Sequence, residues 1–133
     1  MSRPLPRKPI CVKNVVLGGE VPLVCVPLVG KNRTEVLAEV ENLSRVAPDI
    51  IELRVDAWEE IENADASLSL LAEVRRLVAL PVILTCRGHW EGGVKEVSEG
   101  AKDALYAGAV TQRLVNFVCQ RSEERRVGKE CRS

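Results

Sequence analysis

Four apolar runs, Val21 to Leu28, Asp49 to Val55, Val82 to Cys86 and Leu114 to Val118, begin about every thirty residues, the length of a strand plus a crossover helix. The intervals read as helices. Val36, Leu37, Val40, Leu43 and Val46 recur at helical spacing until Pro48, with Thr34 placed as the N-cap and Glu35 in the first turn. Leu68, Leu71, Val74, Leu77 and Val78 do the same until Pro81, and a third helix starting near Ser98 carries Ala101, Ala104, Leu105 and Ala109. Parallel strands cannot be joined by tight hairpins, so this alternation predicts a run of βα units in a parallel sheet. Upstream, Ile10 to Leu17 reads as a short hairpin turning at Lys13-Asn14 and closed off by Gly18-Gly19.

Two architectures satisfy that pattern. A doubly wound open sheet is finished with four or five strands, whereas a (β/α)8 barrel takes about 250 residues, so that this chain would hold half of one. At 133 residues and 46% hydrophobic content, the composition is that of an ordinary single domain, with no disordered tract or membrane span. The net charge is zero, but the balance is uneven. Arg121 to Ser133 holds five basic and three acidic residues, leaving fourteen basic and sixteen acidic in the first 120. No basic stripe interleaved with aromatics is present, which argues against a nucleic-acid partner.

Five cysteines, Cys11, Cys25, Cys86, Cys119 and Cys131, include no close pair at metal-ligand spacing. The start, MSRPLPRKP, lacks the apolar core of a secretory signal, so reduced thiols in a cytoplasmic protein are expected. Cys25 and Cys86 fall in apolar strand runs and are expected to pack as small hydrophobes.

The second run, Ile50-Ile51-Glu52-Leu53-Arg54-Val55-Asp56, carries a charge at every second position. Side chains of a strand alternate between faces, so Glu52, Arg54 and Asp56 share one face and Ile51, Leu53 and Val55 the other. Charges aimed into a helix-covered sheet are costly unless paired or used on a ligand. In both architectures ligands bind at the C-terminal ends of strands, where Arg54 and Asp56 close the second strand and Arg87 follows the third. Two guanidiniums at one rim suit an anionic or hydroxyl-rich small molecule. The loop His89-Trp90-Glu91-Gly92-Gly93 brings a further carboxylate near that rim. His89 is the sole histidine and has no cysteine pair beside it, so no metal site is expected. No Walker-type or dinucleotide fingerprint is present.

Taken in order, VPLVCVPLVGK, IIELRVD and PVILTCRGHWEGG resemble the type I 3-dehydroquinate dehydratases of the shikimate pathway over residues 10 to 118. The pairing of ELRVD with R-x-x-x-EGG at this separation carries the resemblance. It implies a lyase that converts 3-dehydroquinate to 3-dehydroshikimate and water through a lysine Schiff base, with no metal or organic cofactor. The implied fold is the N-terminal half of a (β/α)8 TIM barrel, about four parallel strands with intervening helices after a short hairpin; full-length members are usually homodimers.

By the same resemblance, Glu52 contacts substrate and helps orient the catalytic histidine, Arg54 and Arg87 hold the substrate's polar groups, and Glu91 stands near the site as a loop contact. Pro27 occupies a first-strand position that is serine in some members. The Schiff-base lysine and the acid/base histidine are expected on later strands, so the chain alone should lack catalysis. Lys95, Lys102 and His89 do not sit where the family places those two groups. Residues 1–9 are expected to be a flexible N-terminus, 10–120 a partial barrel, and 121–133 a non-native or disordered tail resembling a translated sequencing adapter. The rival reading is a small doubly wound anion-binding module without catalysis.

Overall fold

In the computed structural model, residues 10–12, 15–17, 22–88, 93, 96–119 and 131–132 are described. β1 (Ile10–Val12) and β2 (Val15–Leu17) form the expected antiparallel hairpin, pairing Ile10 with Leu17. The main sheet holds β3 (Cys25–Leu28), β4 (Ile50–Arg54), β5 (Val82–Thr85), β6 (Phe117–Cys119) and β7 (Cys131–Arg132), side by side in that order. The first four are parallel neighbours in sequence order, joined by α1 (Arg33–Glu41) and α2 (Leu43–Val46), then α3 (Ala64–Leu77), then α4 (Glu99–Thr111).

This order decides between the two architectures. A doubly wound sheet reverses its strand order and carries helices on both faces. Here the order runs without reversal, and one continuous core joins Val36, Leu71, Val74 and Leu105 of the helices to Ile51, Leu53, Val82 and Leu84 of the strands. Among the described residues, helices therefore cover one face of the sheet only, as in the wall of a barrel. The doubly wound alternative is set aside on that ground. Residues of opposite parity, Cys25, Pro27, Glu52, Arg54, Ile83 and Thr85, point to the other face, which would be the barrel interior.

Several local expectations shift. The first helix is capped by Asn32, not Thr34: Asn32 is extended at φ −143° and its Oδ1 accepts the Glu35 N–H at 2.9 Å. That helix breaks at Asn42, whose N–H is shared between the carbonyls of Ala38 and Glu39, and ends at Ala47 in the left-handed region before Pro48. Val46 is consequently exposed, although it continues the apolar period. The loop into α1 is drawn tight by Glu39, whose carboxylate accepts the N–H groups of Val29 and Gly30. A side chain on Gly30 would meet the Val36 backbone nitrogen at 2.8 Å, so this close approach calls for glycine. Asn63 and Ser98 cap α3 and α4, the latter where the sequence places it.

Cys86 is buried as expected, but Cys25 is exposed. It lies on the uncovered face of β3, the edge strand, so apolar neighbours in sequence do not bury it. Cys131 and Arg132, which the sequence reading leaves outside the fold, pair antiparallel with Cys119 and Val118. An unpaired strand edge offers free N–H and C=O groups to any extended segment in reach, which accounts for the addition.

Candidate functional site

β4 positions the site through its alternation. Ile51 and Leu53 are fully buried against the helices, which turns Glu52 and Arg54 to the opposite face. On the neighbouring strand, Ile83 lies level with Glu52 and Thr85 with Arg54. Thr85 Oγ1 donates to Glu52 Oε2 at 2.8 Å, so the carboxylate is anchored across the two strands.

After Arg54 the strand does not continue. The chain enters a short 3-10 turn, Val55–Ala57, so Asp56 is not a third strand residue on the Glu52 face as the alternation predicts. The turn instead carries its carboxylate back under the guanidinium. Arg54 Nε donates to Asp56 Oδ1 at 2.9 Å and Nη2 to Oδ2 at 2.8 Å, a side-on bidentate pair. Asp56 is wholly buried and the Arg54 side chain is 14% exposed. The hydrogen bonds that Arg54 donates to Asp56, reinforced by the nearby Glu52 charge and opposed by partial burial, hold the Arg54 pKa above its ordinary value. Arg54 Nη1 makes no hydrogen bond among the described residues and remains available at the rim.

Arg87 follows β5 and is exposed. Its backbone N–H donates to Asp56 Oδ1 at 3.3 Å. The structure thus brings Glu52 and Arg54 onto one face and fastens the Arg87 main chain beside them, while the Arg87 side chain faces solvent. Glu91 and His89 lie outside the described residues. Gly93, from the same loop, donates its N–H to the Gly88 carbonyl at 3.0 Å, and a Cβ there would overlap the Arg87 carbonyl oxygen. The second glycine of the EGG segment is therefore required by its close approach to the Arg87 carbonyl.

Two residues of this site gave little sequence signal. Thr85 reads as an ordinary strand residue until its register with Arg54 is known. Tyr106 of α4 reads as helix core, yet its hydroxyl accepts the Cys86 N–H at 2.9 Å and donates to the Cys119 carbonyl at 2.8 Å, tying the ends of β5 and β6 together. Burial raises the Tyr106 pKa strongly. Lys102, one turn earlier on α4, is buried on the helix side with Nζ 5.8 Å from the Tyr106 ring centre. Among the described residues no group of three His, Cys, Asp or Glu side chains is placed to hold a metal ion, and no helix is long and apolar enough to cross a membrane.

The sequence model of the type I 3-dehydroquinase family matches residues 24–119, which includes every residue of this rim network. The chain belongs to that family. Type I 3-dehydroquinase relatives include the 3-dehydroquinate dehydratase of Klebsiella pneumoniae (strain 342), 37% identical over 110 residues that make up 82% of this chain and 44% of the relative. The enzyme of Clostridioides difficile (strain 630) is 37% identical over 113 residues, 84% of this chain and 44% of its own. Among solved structures, the type I 3-dehydroquinate dehydratase from Clostridium difficile with covalently modified comenic acid superposes with a TM-score of 0.78 at 33% identity, over 84% of this chain and 44% of that one. The 3-dehydroquinate dehydratase from Geobacillus kaustophilus gives 0.79 at 29% identity, with the same coverage. The chain thus spans 44% of the length of these relatives. Its four parallel strands correspond to part of a (β/α)8 barrel, and the face left open by the helices is the one that such a barrel turns inward.

Proposed function

We propose that this chain carries part of the substrate site of a 3-dehydroquinate dehydratase, the lyase that converts 3-dehydroquinate to 3-dehydroshikimate and water. The observation that supports this reading is the network of Glu52, Arg54, Asp56 and Thr85 at the C-terminal end of two adjacent parallel strands, within the region that matches the family. Glu52 and Arg54 contact substrate oxygens directly, Arg87 swings in from the rim, and Glu91 adds a loop contact. Arg54 and Arg87 offer N–H forks and Glu52 accepts from hydroxyls, a set matched to a polyhydroxylated carboxylic acid.

The elimination removes a proton beside a carbonyl and expels a hydroxyl. In the family resemblance, a lysine iminium serves as electron sink and a histidine moves the protons. We assign neither role to residues 24–119. Lys102 supports that assignment, because it lies on the helix side of the sheet and not on the face of Glu52 and Arg54. The family match stops at residue 119, which supports reading 121–133 as foreign to the family sequence.

The test is a titration of the purified 133-residue chain with 3-dehydroquinate, followed by borohydride reduction and mass spectrometry. Binding that is weakened by Arg54→Gln, without turnover and without a reducible adduct, is expected. No binding at millimolar ligand removes the substrate-site reading; a lysine adduct removes the claim that the covalent residue lies elsewhere.

A further inference from the structure

We propose that Asp56 is a positioning residue of this site: its buried carboxylate fixes the Arg54 guanidinium and the Arg87 main chain in one geometry before any ligand arrives. The inference rests on the substrate-site reading above for its functional meaning, and on the structure alone for the geometry.

Three observations carry it. First, the carboxylate is fully buried, and burying an ion pair is often no better for stability than apolar packing of the same volume, so stability alone is a weak reason for its presence. Second, both Asp56 oxygens are committed to Arg54, Oδ1 to Nε and Oδ2 to Nη2. A bidentate pair fixes the plane of the guanidinium as well as its position, and it leaves Nη1 pointing away from the carboxylate. Third, Oδ1 also accepts the Arg87 N–H, so the ends of β4 and β5 share one anchor. A single carboxylate thereby fixes the Arg54 guanidinium relative to the Arg87 main chain, and these are the two arginines that the sequence nominates for substrate.

An arginine left free has several rotatable bonds to immobilise when it grips a ligand, whereas here that ordering is completed in the unliganded chain. The 3-10 turn is what allows it: a strand continued through Asp56 would place the carboxylate one step further along the same face instead of beneath the guanidinium.

The test compares wild type, Asp56→Asn, Asp56→Glu and Val74→Ala. The last is a core substitution on α3 that lowers stability without touching the rim. Two readouts are taken on the 133-residue chain: the 15N side-chain Nε–H signal of Arg54 with the Arg87 amide, and the dissociation constant for 3-dehydroquinate. Asn keeps the volume but lacks the second acceptor oxygen, and Glu keeps the charge but misplaces it by one methylene. Both are expected to shift or broaden the Arg54 Nε–H and Arg87 signals and to weaken binding by about tenfold. Val74→Ala is expected to leave both readouts unchanged; Asp56→Glu serves where Asp56→Asn does not fold. An unmoved Arg54 Nε–H signal, or wild-type affinity in a folded Asp56 variant, overturns the proposal. Absence of binding by wild type overturns the functional reading instead, and the Nε–H comparison then decides the positioning claim by itself.

Discussion

Thr85 Oγ1 donates a 2.8 Å hydrogen bond to Glu52 Oε2, joining β5 to β4 on the face of the sheet away from the helices. Thr85 is buried and Glu52 is half-buried, so the bond is shielded and the carboxylate has a defined orientation. Thr85→Val keeps the shape and removes the donor. It is expected to cost about 0.5–1.5 kcal/mol, the net worth of the bond, because water can reach the half-buried Glu52 carboxylate. Thr85→Ser should recover most of that loss. Urea unfolding of the three proteins measures it, and a Val variant as stable as wild type would mean that Glu52 finds another donor.

Tyr106→Phe removes a hydroxyl that serves two backbone groups, the Cys86 N–H and the Cys119 carbonyl. Both groups lie at the strand ends that lead toward Arg87 and away from β6. Leaving the buried Cys86 N–H without this acceptor is expected to cost about 1–3 kcal/mol. Hydrogen exchange at the Cys86 amide should accelerate more than at Leu84, which sits deeper in the same strand. Equal acceleration at both would indicate global destabilisation and not a local loss.

The βα succession was legible because it rests on periodicity: the helix stripes Leu68, Leu71, Val74 and Leu105 pack into the core in the structure, as do Leu53, Val82 and Leu84 of the strands. The start of the third helix near Ser98 was legible from the stripe that follows it, and the structure makes Ser98 its cap. The charge pattern of β4 correctly placed Glu52 and Arg54 on one face. What the pattern could not contain was the end of the strand. Asp56 continues the alternation in sequence, but the backbone leaves it at Val55, and only the three-dimensional turn pairs it with Arg54. Tyr106 and Thr85 were hidden for a related reason, since their partners lie 13 to 33 residues away and depend on strand register. The exposure of Cys25 depends on which face lacks a cover, a property of the whole sheet and not of the apolar run around the cysteine.

Arg75, near the end of α3, closes the turn into β5. Its Nη2 donates to the carbonyls of Val78 and Leu80, and Nη1 donates to Asn116 Oδ1 at 3.1 Å. Asn116 in turn accepts the Val82 N–H and donates its own N–H to the Val82 carbonyl, so the latch reaches the start of β6. Burial lowers the Arg75 pKa from its ordinary value, though a guanidinium stays charged across the accessible range. Arg75→Met keeps the aliphatic stem and leaves three acceptors without this donor. A loss of about 2–4 kcal/mol is expected, larger than for the exposed neighbour Arg76→Met. Thermal or urea midpoints of the two variants make the comparison, and similar small losses would show that water replaces the latch.

Cys86 gives the fold an alkaline limit whose sign follows from its burial. Burial pushes its thiol from 9.0 up to about 11, with the Lys102 cation opposing and the Asp56 charge reinforcing the change. Below pH 9 the folded and unfolded chains both keep the proton, and Cys86 adds no pH dependence. Between pH 9 and about 11 the unfolded chain releases it while the folded chain holds it, so stability falls as pH rises. The rise from 9.0 to about 11 corresponds to about 2–3 kcal/mol lost across that window, after which both states are ionised and the contribution levels off. Tyr106, raised by burial as well, adds to the decline above the ordinary tyrosine range. Cys86→Ala should be less stable than wild type at about pH 8 by a packing loss of about 1 kcal/mol; the gap should close between about pH 9.5 and 10, and the order should reverse by about pH 10.5. Urea midpoints at half-unit steps from about pH 8 measure both slopes; parallel slopes would show that the thiol ionises as readily in the folded chain as in the unfolded one.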